Sequence, residues 1–190
     1  MVDIKEQKLL YHLTALENLS SIFQNGLRPR AQLKGFKDVA DAEILKKRQA
    51  LGLENYVPFH WFAANPFDGS VQGSKRDTQF VVISIRRSFA LENNWKVIPR
   101  HPLANDTIQL LDYKAGFEAI DWDVMNQRDY HDPHCKSVCM AECLSPTVVS
   151  ANNFFKIFVA NSEVEEHCGA KMREADVSVQ IGVNTGMFRR

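Results

Sequence analysis

Glu142 is the residue in this chain whose surroundings least suit it. It stands in the run HCKSVCMAECLSP at residues 134–146, among small and apolar neighbours. Burying a carboxylate in such company costs several kcal/mol unless it is paired or hydrogen-bonded. Read at period two, the run is a strand with Val138, Met140, Glu142 and Leu144 on one face and Cys139, Ala141 and Cys143 on the other. A carboxylate held in that way suits proton transfer or the stabilisation of positive charge. The plainer alternative is a strand at the edge of a cleft, with Glu142 facing water or a neighbouring arginine.

Other residues offer complementary chemistry. His12 and Thr14 close an apolar opening strand over residues 9–14, and Thr14-Ala15-Leu16-Glu17 has the spacing of a capping box, so a helix is expected to start there. A helix N-terminus presents free amides to an anion. Arg48, in the basic run Lys46-Lys47-Arg48, is either an exposed helix residue or a planar fork that reaches a phosphate. Cys135, Cys139, Cys143, Cys168 and the nearby His131, His134 and His167 contain no C-x-x-C pair, and in the predicted strand the thiols serve as small hydrophobes. No metal site is expected, and the thiols are read as reduced. Walker, Rossmann and nucleophile-elbow patterns are missing.

These residues need elements to position them. The sequence predicts a first helix ending at Gly26, a charged loop over 28–37, and a helix over about 39–51 that carries Arg48. An aromatic strand over 56–62 follows, with Pro58 marking an edge or bulge and its rings offering a stacking wall. Residues 65–70 read as a turn leading into a polar loop. Strands are expected at 80–85 and 95–99, a helix over 107–127 broken near Gly116, and a polar loop at 128–134. After the central strand come a strand at 155–159, a helix at 162–175 and a strand at 177–183. The mixture is α/β.

A chain of 190 residues fits a single domain over 1–190. The opening MVDIKEQKLL lacks a signal-peptide pattern and no apolar run approaches a membrane span, so a cytoplasmic monomer is expected. Lys and Arg balance Asp and Glu at 23 each. Long-range attraction to a polyanion is therefore absent, and any nucleic-acid contact must be local.

The ordered matches Tyr11-His12-Leu13-Thr14, Leu16-Glu17-Asn18-Leu19, Gly26-Leu27, Arg48, Tyr56-Val57-Pro58-Phe59, Arg100-His101, Ile120-Asp121-Trp122 and Ala141-Glu142 resemble the DarT family of DNA ADP-ribosyltransferase toxins. They span nearly the whole chain. The resemblance implies the ADP-ribosyltransferase fold, two small packed sheets with NAD in the cleft between them. It also implies NAD as co-substrate, single-stranded DNA as acceptor, and a macrodomain antitoxin as partner. By the same resemblance Glu142 and Arg48 are catalytic, while His12, Thr14, Arg48 and Phe59 hold NAD. His60, Arg100, His101 and Lys136 face the DNA. The family's thymine-modifying branch continues after Val-Pro-Phe with an aromatic-Tyr-Phe pattern, whereas this chain has His60-Trp61-Phe62. That departure, with Asp129 and Asp132 as acceptors for a base amino group, leans towards guanine. Rival readings are a transferase acting on protein or RNA, a silent NAD- or nucleic-acid-binding domain, and a metal-dependent hydrolase.

Overall fold

The structure, a computed structural model, describes residues 3–34, 36, 42–102 and 109–189. Its strands are β1 (Leu9–Ala15), β2 (Val57–His60), β3 (Phe80–Arg86), β4 (Lys96–Ile98), β5 (Leu111–Asp112), β6 (Glu142–Ser145), β7 (Lys156–Val159) and β8 (Gln180–Val183). They form one sheet in the order β5-β4-β6-β2-β1-β3-β7-β8, antiparallel except for β7 and β8. The expected mixed α/β architecture is present. The two small sheets appear as halves of this one sheet, joined at β1 and β2 through the single pair Tyr11–His60.

That junction has a chemical cause. A residue's N–H and C=O point to the same side of an antiparallel strand, and Pro58 has no N–H to give. The carbonyl of Pro58 faces β1, where the Nδ1–H of His12 donates to it at 2.7 Å in place of a backbone partner. On its other side β2 pairs with β6 along all four residues, so Pro58 occupies a sheet interior without breaking a ladder.

Strand alternation divides the apolar residues. Val81, Ile83 and Ile85 face the main core with Leu10, Phe59, Trp61, Val97 and Cys143, whereas Phe80 and Val82 face a smaller cluster with Leu13 and Val71. A third cluster of Leu53, Ile98 and Leu144 lies beside β6. The helices are α1 (Leu19–Asn25), α2 (Ala42–Ala50), α3 (Pro66–Ser74), α4 (Arg87–Glu92), α5 (Tyr113–Ala119), α6 (Trp122–Gln127), α7 (Pro133–Val138) and α8 (Ser162–Glu174). Helix α1 buries Leu19, Ile22 and Phe23 and stops at Gly26, whose φ of +77° and contact with Val149 leave no room for a Cβ. No described helix is long and apolar enough to cross a membrane.

Several expectations give way. The strand predicted over 134–146 is α7 followed by the short β6, because the Asp132 carboxylate caps the amides of His134 and Cys135 and Pro133 occupies the first turn. Cys135 sits in α7 and Cys139 caps its end one turn later, and their thiols donate to the carbonyls of Val124 and Met125. All four cysteines are free and buried. The loop expected after residue 65 is α3, started by the same chemistry in Asn65 and Pro66. The break in the 107–127 helix falls at Ile120–Asp121, since Asp121 caps α6, while Gly116 stays inside α5 and lets it lie on Val97. Thr14 is not a cap. Strand β1 runs on to Ala15, a 3-10 turn covers Leu16–Asn18, and the Thr14 hydroxyl accepts from the Asn18 amide at 3.2 Å. The first residues of the helix predicted at 39–51, and of the one predicted at 107–127, lie outside the described residues.

Candidate active site

Glu142 opens β6 between His60 of β2 and Ile98 of β4, so its side chain shares a sheet face with those neighbours. It is 6 % exposed. Its counter-charge arrives from the last turn of α2, where Arg48 Nη1 donates to both carboxylate oxygens, at 2.7 and 3.0 Å. A single nitrogen makes both bonds. The second one, Nη2, is buried without a partner.

The pair lies in a cleft with an enclosed volume of about 200 Å³. His12, Thr14, Arg48, His60, His101 and Glu142 all line it. His12 is half-buried, and burial lowers its pKa despite the bond to Pro58. With Nδ1 donating to Pro58, Nε2 is the lone pair left for a ligand. His60 is buried, stacked on Phe67 with ring centroids 5.4 Å apart, and burial depresses its pKa from 6.5 to about 4 against the pull of Glu142. Desolvation also lowers the pKa of His101, the Glu142 charge opposing it. Burial thus favours the neutral form of all three rings, and the Arg48–Glu142 pair is the buried ionic contact of the cleft.

Phe59 is the residue the geometry moves elsewhere. It is fully buried, 5.1 Å from Trp95 and 5.5 Å from His12 between ring centroids, and it packs in the main core instead of lining the cleft. Its strand parity is opposite to that of Pro58 and His60, and Tyr56, Pro58 and Phe67 provide the walls. Arg100 and Lys136 are exposed and also lie outside the cleft. Arg100 borders a second cavity of about 560 Å³ that shares His101 and Pro102 with the first. Lys136 is in α7, whose Ser137 carbonyl accepts from the His101 amide at 2.7 Å.

Arg28, Arg30 and Phe36 line the cleft as well, although sequence reasoning passed over them as part of a charged loop. The guanidinium of Arg30 lies 5.5 Å over the Phe36 ring. Three arginines and one buried carboxylate in a single cleft suit a ligand with anionic phosphates at one end and a centre of developing positive charge at the other. Among the described residues no group of three His, Cys, Asp or Glu side chains is placed to hold a metal ion.

Solved structures of similar shape exist. Thermus sp. 2.9 DarT in complex with ADP-ribosylated ssDNA is 16% identical and matches with a TM-score of 0.84, covering 97% of each chain. Thermus sp. 2.9 DarT in complex with NAD+ is 14% identical with a TM-score of 0.79, covering 97% of this chain and 98% of that one. Thermosipho africanus DarTG in complex with ADP-ribose is 20% identical with a TM-score of 0.74, over 96% of this chain and 51% of the longer one. No curated protein sequence matches. At these identities the neighbours establish the fold, and the family follows from the sequence itself. The family model described as "ssDNA thymidine ADP-ribosyltransferase, DarT" matches residues 11–189, so the chain belongs to the DarT family.

Proposed function

We propose that this chain moves ADP-ribose from NAD to a thymine of single-stranded DNA, releases nicotinamide, and acts as the toxin of a pair whose antitoxin removes the mark. The observation that carries the reading is the Arg48–Glu142 pair, with side chains only 14% and 7% exposed. A buried ion pair adds little net stability, because desolvation offsets the attraction, so its presence across a cleft argues for use.

Breaking the bond from nicotinamide nitrogen to ribose C1″ leaves positive charge on the ribose, and a buried carboxylate stabilises that charge more strongly than water would. Glu142 has that role. A base nitrogen then bonds to C1″ and releases its proton to water, while nicotinamide leaves neutral with the electrons of the broken bond. Arg48 orients Glu142 through both carboxylate oxygens, and its Nη2 is available to the dinucleotide. The enclosed volume of about 200 Å³ is below the roughly 300–1,000 Å³ of sites that surround a small molecule. A whole dinucleotide therefore extends beyond it, with the nicotinamide end beside Glu142 and the phosphates beside Arg28 and Arg30, which line the same cleft. The second cavity, reached past His101, is the route for the DNA strand, with Arg100 on its wall and Lys136 exposed on adjacent α7.

Thymine is preferred to guanine on two grounds. The matching family model is described as a thymidine enzyme. The acceptors that favoured guanine are engaged locally: Asp132 caps α7, and Asp129 accepts from the His131 amide at 3.0 Å. Mass spectrometry of homopolymer oligonucleotides after incubation with NAD tests the proposal. A mass gain of one ADP-ribose on oligothymidylate is expected. Gain on oligodeoxyguanylate alone would move the assignment to guanine, and gain on neither would end the DNA reading. Duplex substrate should react poorly, because extracting a paired base costs a few kcal/mol.

A further inference from the structure

Helix α3 carries Phe67 in its first turn and a buried glutamine towards its end. The side chain of Gln72 is only 8% exposed, and its partners come from the segment that leaves β8: Oε1 accepts from the Arg189 amide at 2.9 Å, and Nε2 donates to the Met187 carbonyl at 3.3 Å. Those two backbone groups flank Phe188, whose φ of −122° and ψ of 145° are extended. They therefore point to the same side, and the glutamine amide meets them as a neighbouring strand would. Asn184 turns the chain towards α3, its amide donating to the Val159 carbonyl at 2.9 Å and its Oδ1 accepting from the Gly186 amide at 3.2 Å. The approach is close: a Cβ at Gly73 would run into the Arg189 guanidinium.

The same segment closes the smaller apolar cluster. Met187 and Phe188 pack there with Val71 and Phe67 of α3. Phe67 carries this packing to the cleft, because it also lines the cleft and stacks on His60, the ladder partner of Glu142. We propose that Gln72 is a positioning residue for ligand binding: by clamping the backbone of residues 187–189 it fixes α3, and α3 sets Phe67 against His60 in the cleft wall. A helix of nine residues has little stability of its own, so its place is decided by what it packs on. Glu142 is held separately, by β6 and Arg48, so the clamp governs how the ligand is seated and leaves the ionic pair alone. The inference rests on the proposed function and adds a dependence on a residue that does not line the cleft.

Three substitutions isolate the clamp. Arg189→Pro removes the amide that donates to Gln72, and the extended backbone of Phe188 tolerates a following proline. Arg189→Ala keeps that amide and accounts for the lost side chain. Gln72→Met keeps the volume and loses both bonds. The first readout needs no ligand: the His60 ring-proton resonances, 5.4 Å from the Phe67 ring between centroids, should move in Arg189→Pro and Gln72→Met towards their positions in Phe67→Leu, and stay in place in Arg189→Ala. Calorimetric affinity for NAD should fall about 2- to 10-fold in the same two variants, as for the loss of one net hydrogen bond, with kcat for transfer retained. Added to Phe67→Leu, either substitution should weaken binding no further, since its effect passes through Phe67. Unmoved His60 resonances, unchanged affinity, an additive loss in the double variant, or an equal effect of Arg189→Ala would each overturn the inference. Should Gln72→Met fail to fold, the Arg189 variants decide the same points. A wild type whose His60 resonances respond as expected but which binds no NAD would count against the proposed function and leave the positioning of His60 standing.

Discussion

In the proposed transfer Glu142 and Arg48 have different parts, and substitution can separate them. Glu142→Gln keeps the shape and removes the charge, so transfer should fall by roughly 10²–10⁴-fold while NAD binding changes little. Single-turnover release of nicotinamide measures it, and near-normal turnover would remove Glu142 from the chemistry. Arg48→Lys is a finer probe. Since one nitrogen makes both contacts to Glu142, an ammonium can still neutralise the carboxylate, but nothing replaces Nη2. We expect a higher KM for NAD with a smaller loss in kcat, and a drop confined to kcat would assign Nη2 to the reacting centre. At this scale the sequence was informative because polar residues among apolar ones have few bland explanations. His12, Thr14, Arg48, His60, His101 and Glu142 meet in one cleft. Phe59 packs in the main core instead, as period two requires of a residue adjacent to His60.

Elements were legible where the pattern was long. Strands β1, β3 and β7 and helix α8 fall where periodicity puts them, whereas α3 and α7 were mistaken for loop and strand. Both are short, and each begins with an Asx-Pro pair whose capping meaning outweighs the turn residues of α3 and the apolar alternation over α7. Asp132 therefore has a measurable share in α7, with both oxygens taken by amides. Asp132→Ala should lower stability by about 1 kcal/mol in urea denaturation, and an unchanged midpoint would deny the cap. Gly116→Ala should cost more, about 1–3 kcal/mol, because the new methyl overlaps Val97 where α5 meets β4.

The whole molecule is electrically neutral, so the salt dependence of DNA binding reports only local phosphate contacts. With Arg100 and Lys136 on that side, binding should fall with a log–log slope of about −1 to −2, and a slope several times steeper would reveal a longer basic track. Stability against pH is shaped by two buried groups of opposite sign. Burial lowers His60 from 6.5 to about 4, so its contribution is present above 6.5 and lost as pH falls through about 4. Burial raises Asp68 from 3.8 to about 7 despite bonds from Ala64 and Asn65, so its contribution is present below 3.8 and lost as pH rises through about 7. Between those limits the two oppose each other. Asp68→Asn removes one side: relative to wild type, the variant should gain about 1–3 kcal/mol as pH rises from about 4 to about 8. A difference that stays constant across that range would show that Asp68 does not titrate there. The junction at Pro58 has a consequence of a different kind. Sheets ordinarily fray from their margins inward, yet here the ladder is thinnest at its middle, where a histidine ring replaces a main-chain partner. Deuterium should therefore enter the amides flanking Tyr11 and His60 ahead of those in the neighbouring β1–β3 ladder, and the entry of a dinucleotide should slow that uptake as it spans the two halves.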